Sequence, residues 1–200
     1  MQKLALLAAI LGLLVVSNLD AATIIRGFED RPVGSFTTQY AEFTITTDTL
    51  NASLNVYDST ANASEGTKFL VIMDPATGWA TGNGIFTAAA GYELSGVSFN
   101  GIGQEEPGIS VANISLFTSG GASLGTLNVL APGSVTTPVH MDFSSYGSVG
   151  RFEVRNVTDN GGFAIDRIVA NAVPEPSALF LMVLGLGGMV AFRRVRRKTV

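Results

Sequence analysis

His140 is the single histidine of the chain, and it stands two residues from Asp142 in PVHMDF (138–143). A strand's side-chain period of two places Val139, Met141 and Phe143 on one face and His140 with Asp142 on the other. An imidazole beside a carboxylate is half of a metal site or half of a proton relay, and either needs a third partner and a pocket. The same pattern also describes a solvated polar face. Serines are plentiful, but there is no G-x-S-x-G elbow, so a Ser/His/Asp triad would rest entirely on this one histidine. The sequence has no cysteine, which excludes thiol nucleophiles, cysteine metal sites and a disulfide framework.

Carboxylates offer two further chemistries. GFED (27–30) lies near the start of the chain and AIDR (164–167) near its end. If the first and last strands lie side by side, Glu29 or Asp30 meets Asp166, and together they bind a hard cation such as calcium through oxygen ligands. The alternative leaves Glu29 and Asp30 as exposed acids, with Asp166 paired to Arg167 or Arg26. No linear D-x-[DN]-x-[DN]-G calcium loop is present. Glu93, Glu105, Glu106 and Glu153 are candidates for glycan hydrolysis, which requires two carboxylates facing each other across a cleft. Trp79, Tyr92 and Tyr146 are candidates for a sugar-stacking platform, set against ordinary core packing of the same rings.

Charge narrows the partners. Residues 23–173 hold six basic and fourteen acidic side chains, a net charge of −8. A domain this acidic has no electrostatic footprint for nucleic acid. Five basic residues instead crowd into 193–198 as RRVRRK.

The elements that must position these side chains are strands. Short apolar-alternating runs recur at 41–47, 68–73, 93–99, 109–117, 123–130, 138–143, 150–157 and 162–170. DPATG, TGNG, TSGG, APGS and TDNGG separate them as turns. Gly82-Asn83-Gly84 and Gly101-Ile102-Gly103 lack the strand-then-helix setting of a phosphate loop and read as hairpin turns. The sequons at Asn51, Asn62, Asn113 and Asn156 matter only in a host that glycosylates them. Between the two ends no stretch of ten or more residues has a helical period. The expectation for 23–172 is an all-β domain of eight to ten strands, a jelly-roll-like β-sandwich.

Both ends differ from this body. MQKLALLAAILGLLVVSNLDAAT opens with one positive charge at Lys3, a 13-residue apolar stretch at 4–16 and small residues at Ala21 and Ala22. That is the layout of an N-terminal signal peptide over 1–22, cut after Ala21 or Ala22. At the other end, Pro174-Glu175-Pro176 precedes an apolar segment at 177–192 and the basic tail at 193–198. Two prolines fix φ, restrict their neighbours to extended conformations and supply no N–H donors, so this stretch joins neither helix nor ladder. Residues 177–192 are expected to form a single transmembrane helix of about 24 Å, against about 30 Å of hydrocarbon. Glycines at 185, 187 and 188 weaken it, which suits transient docking in a membrane. The arginines hold the C-terminus in the cytoplasm.

This tail, V-P-E-P at 173–176, the Gly-Leu-Gly-Gly apolar core and RRVRRK over 173–200, resembles the PEP-CTERM protein-sorting signal of bacteria. The body, with GFED, QY-x-EF (39–43), VYDS (56–59) and F-x-I-D-x-I (163–168), is similar to the β-sandwich domains carried by such proteins. The resemblance implies that Pro174, Glu175 and Pro176 are read by an exosortase, a membrane-embedded cysteine-type transpeptidase of bacteria that produce exopolysaccharide. They are a substrate site, not a catalytic one. It further implies an exported protein, transiently anchored and then released to the cell surface or extracellular matrix. The body is then a non-catalytic structural or polysaccharide-associated module, with the carboxylate-dependent hydrolase as the alternative.

Overall fold

The structure, a computed structural model, describes residues 22–48, 51–59, 63, 66–73, 83–101, 106–134, 136–158 and 164–173. The expected signal peptide up to residue 21, the Pro-Glu-Pro motif, the transmembrane helix at 177–192 and the basic tail all lie outside these residues. Among the described residues no helix is long and apolar enough to cross a membrane.

Among the described residues twelve strands follow one another: β1 (Thr23–Arg26), β2 (Gly34–Ser35), β3 (Phe43–Thr47), β4 (Ser53–Asp58), β5 (Lys68–Met73), β6 (Gly84–Ala88), β7 (Tyr92–Asn100), β8 (Ser110–Phe117), β9 (Ser123–Leu130), β10 (Val139–Asp142), β11 (Arg151–Arg155) and β12 (Ala164–Ala172). One 3-10 turn, Ser144–Tyr146, stands between β10 and β11. The strands pair antiparallel in two sheets. One runs β10-β7-β12-β5-β4-β2, with β1 also on β12; the other runs β3-β6-β11-β8-β9. The expected all-β sandwich is therefore present, and Ala22–Ala172 form one compact unit.

Alternation explains how the sheets face each other. On β11 Phe152 and Val154 point inward, and on β3 Phe43 and Ile45 do the same. Phe28, Phe43, Phe86, Phe99, Phe143 and Phe152 are wholly buried. Each such ring adds about 2–3 kcal/mol relative to an exposed one. Phe86 and Phe152, cross-strand partners on β6 and β11, stack at 4.4 Å with planes 8° apart, and Phe143 meets Phe152 edge-on at 5.3 Å. With no disulfide available, this aromatic layer carries the cohesion of the two sheets.

Two backbone features shape the frame. The TSGG turn between β8 and β9 closes with Gly121 N–H donating to Thr118 O at 3.0 Å, and Gly121 takes φ of 85°, which favours glycine. On β12 the register with β7 shifts between Ile165 and Arg167, so Asp166 is the extra residue of a bulge. Its side chain is turned entirely away from solvent.

Candidate functional site

The outward face of the five-stranded sheet carries a row of linked charges. Because Phe152 and Val154 point into the core, their neighbours Arg151, Glu153 and Arg155 project from the other face of the central strand β11. Glu153 bridges both arginines. Its Oε1 lies 3.2 Å from Arg151 Nε, while Oε2 accepts from Arg155 Nε at 3.0 Å and Nη2 at 2.6 Å. Arg155 also pairs with Asp48, just beyond β3. Burial alone would lower the Arg155 pKa, but the Asp48 and Glu153 carboxylates outweigh it and raise it. The Arg155 guanidinium likewise holds the Asp48 carboxyl below its usual range. Arg151 lies over the Phe117 ring at 4.4 Å, a cation–π contact that fixes the far end of the row.

Polar side chains continue the array across the strands. In register, Arg151 is flanked by Thr87 and Phe117, Glu153 by Ile85 and Ser115, and Arg155 by Asn113. Asn113 donates to Asn128 Oδ1 at 2.7 Å and accepts from Asn156 Nδ2 at 3.0 Å. The result is a flat surface of guanidinium, carboxylate, amide and hydroxyl groups with fixed positions. Such a surface can hydrogen-bond a hydroxyl-rich polymer, and its compensated charges do not by themselves select an ion.

The hydrolase candidates do not gather. Glu153 sits between two cations on the five-stranded sheet. Glu93 is on β7 of the other sheet, beside the buried Leu94, and opposite Asn171. These two therefore lie on opposite outer faces of the sandwich. Glu106 is in the exposed turn before β8, and Glu105 lies outside the described residues. His140 and Asp142 share the outward face of β10 as expected, yet each has its own local partner. His140 Nδ1 is 2.7 Å from Ser98 Oγ on β7. Asp142 accepts from the Ser144 amide at 2.8 Å and hydroxyl at 2.9 Å, which lowers its pKa.

Among the carboxylates proposed for calcium, the topological premise holds, because β1 and β12 are antiparallel neighbours. Gly27 lies against Asp166, where an added Cβ would be 4.0 Å from Oδ1. Glu29, however, accepts from the Thr67 and Lys68 amides at 2.7 and 2.6 Å. Asp30 accepts from the Tyr40 hydroxyl at 2.9 Å. Among the described residues no group of three or more His, Asp or Glu is placed to hold a metal ion.

GFED and QY-x-EF instead build one cluster. Arg26 forms a two-pronged ion pair with Glu42, which is 4 % exposed. That pairing raises the Arg26 pKa and lowers that of Glu42. Tyr40 reaches the Gly27 carbonyl at 2.7 Å, under the Arg31 guanidinium at 3.9 Å from its ring. Burial is the main cause that pushes its hydroxyl up to about 12. Gln39 bonds both main-chain groups of Ile45, at 2.7 and 3.0 Å. The cluster ties β1, in one sheet, to β3, in the other.

Two of the three aromatic candidates lie among the described residues. Tyr92 opens β7 opposite Ala172, Tyr146 packs by Gly125 of β9, and Trp79 lies outside the described residues. A different ring is exposed: Tyr57, 39 % accessible, stacks on the buried Phe69 at 6.1 Å and reaches Met73 Sδ. The Arg-x-Glu-x-Arg spacing of β11 is the signal that marks the array in the sequence; the aromatic pair has none beyond its β propensity.

Comparison with solved structures finds a DUF4465 family protein from Bacteroides caccae at 13 % identity and TM-score 0.45, covering 76 % of this chain and 99 % of that one. The K2 cleaved adhesin domain of Lys-gingipain is similar at 12 % identity and TM-score 0.46, over 76 % and 100 % of the two chains. The CBM22-1 xylan-binding domain from Paenibacillus barcinonensis is similar at 8 % identity and TM-score 0.42, over 77 % and 96 %. No curated protein matches the chain. Residues 172–197 match the PEP-CTERM protein-sorting motif, and the chain thus carries this sorting signal from the final residue of β12 onward.

Proposed function

We propose that the protein is an exported cell-envelope or extracellular-matrix component whose tail is read and removed by an exosortase at Pro174, Glu175 and Pro176. The sorting motif over 172–197 carries this reading. Residues 1–22 direct export, and 177–192 dock the chain in the inner membrane with the basic tail on the cytoplasmic side until processing releases the body. The body is a jelly-roll-type, non-catalytic module, and the outward face of its five-stranded sheet, centred on Arg151, Glu153 and Arg155, is the surface offered to exopolysaccharide. The face supports this assignment through its fixed polar groups, and its one candidate general acid, Glu153, is held between two guanidinium groups.

Mass spectrometry of the C-terminus of protein recovered from its native host tests the sorting function. The expected product has lost everything beyond the Pro-Glu-Pro region. A mature chain that still ends in RRVRRKTV overturns the reading.

A further inference from the structure

The C-terminal end of the sandwich is held from both sides. β12 pairs with β7 as far as Ala172 opposite Tyr92. Along its other edge it pairs with β1, in the register Thr23 with Asn171, Ile24 with Ala170, Ile25 with Val169 and Arg26 with Ile168. The Ala172 amide donates to the Ala22 carbonyl at 2.9 Å, and the Thr23 hydroxyl donates to Asn171 Oδ1 at 3.0 Å. Val173 follows, 41 % exposed, and the next residue in the chain is Pro174. A single residue therefore separates the last laddered position from the Pro-Glu-Pro triplet.

Enzymes that cut a peptide chain take it extended, with main-chain groups on both sides of the scissile bond free to pair with the cleft. At this motif the residues that precede the prolines are 171–173, and the main chain of Asn171 and Ala172 is already engaged. Proline supplies no N–H, so the motif itself offers the cleft few donors and the preceding residues must supply them. Ile168 and Ala170 are wholly buried and fix how far β12 can peel from the sheet. β1 is the weaker neighbour. It has four residues, Thr23 and Ile25 are exposed, and its ion pair to Glu42 is at its far end, on Arg26.

We propose that β1 is a clasp on the C-terminal end of β12, and that scission at the Pro-Glu-Pro motif proceeds from the state in which β1 has left this end. The bond broken is a main-chain amide, its acyl group passing to water or to an amine acceptor. The proposal rests on the sorting function above. Because the strands are antiparallel, the chain enters the pair at Ala22 and leaves it after Ala172 at the same end, so the main chain just before Val173 is bonded for as long as β1 is seated.

The chain has no native cysteine, so a disulfide can be placed without competition. Ala22 and Ala172 exchange a ladder bond, which makes Thr23 and Asn171 a non-hydrogen-bonded pair, with Cα atoms about 4.5 Å apart and within disulfide reach. Thr23→Cys with Asn171→Cys locks the clasp. Ser98→Cys with His140→Cys, a cross-strand pair of β7 and β10 outside the polar array, is the control. Ile24→Pro removes a donor from the β1 ladder and loosens it.

In the native host, the full chain with the locked clasp is expected to lose its tail about tenfold more slowly than wild type, because cleavage of a folded end follows the population of its open form. The control disulfide leaves the rate unchanged and Ile24→Pro raises it. Tail removal from the locked form at the wild-type rate overturns the clasp. A second arm does not need the native enzyme: the purified full chain is exposed to a broad-specificity endoprotease, and cuts within 171–177 are scored by mass spectrometry. The same ranking is expected, and reduction restores cutting of the locked form. Equal cutting in all variants overturns the clasp, whereas an intact tail in the native wild type overturns the sorting function alone.

Discussion

Replacing Arg26 with alanine leaves the Glu42 carboxylate 5 % exposed without the guanidinium that holds it. Removing one partner of a fully buried pair costs about 3–5 kcal/mol. Arg26 keeps 37 % of its side chain in water, so solvent already screens the pair and the expected loss is about 2 kcal/mol. For a body of this size that is a fall in Tm of about 4–8 °C. Glu42→Gln leaves a cation that water can reach and costs about 1 kcal/mol. The pH dependence separates an ion pair from simple packing. Glu42 has a folded pKa below its unfolded value of about 4.3, so its stabilisation is complete above that value and disappears as pH falls through the folded pKa. In Arg26→Ala the stranded carboxylate instead takes up a proton as the pH falls, which relieves the penalty. Thermal unfolding of the mature protein, followed by circular dichroism at pH 7 and pH 3, should therefore show a large difference between wild type and Arg26→Ala at pH 7 and a small one at pH 3. Equal differences at both pH values would refute an electrostatic link between β1 and the segment before β3.

Gly150→Ala is expected to destabilise the body by about 2 kcal/mol, because the added Cβ falls on the main chain of Ser119, which has no flexible end to move aside; urea unfolding measures it, and a neutral result contradicts the close approach. Arg155→Ala removes the guanidinium that joins Asp48 and Glu153, and binding of the host's exopolysaccharide, read by isothermal titration, should weaken about fivefold to tenfold. Unchanged affinity moves the contact surface away from the β11 face.

Eight strand runs were legible because their periodicity is local. KFLVIM and SLGTLNVL coincide with β5 and β9 at both ends. β1, β2, β4 and β6 escaped for separate reasons. TIIR merges with the apolar residues before it, GS is too short to show a period, and SLNVYD and GIFTA sit among turn-forming residues where alternation covers only two or three positions. The site was half visible. The Arg-x-Glu-x-Arg row on β11 follows from alternation alone. Its closure by Asp48, 107 residues away in sequence, does not, and neither does the use of Glu29 by main-chain amides 38 and 39 residues further on. Residue type shows that a carboxylate needs a partner; only the sheet topology decides which one it finds. The premise that the first and last strands adjoin was legible as topology, while the partners that Glu29 and Asp30 find, the Thr67 and Lys68 amides and the Tyr40 hydroxyl, were not.

The pairing of Thr23 with Asn171 spans 148 positions, and this has a consequence for the order in which the molecule is made. β1 is the first strand to be synthesised, and its partner is the last. At about 5–20 residues per second, an interval on the order of ten seconds passes in which the TII segment is exposed with no ladder to join. The remaining strands can pair and stack their phenylalanines during that time, so the first of the described strands is the last to find its place.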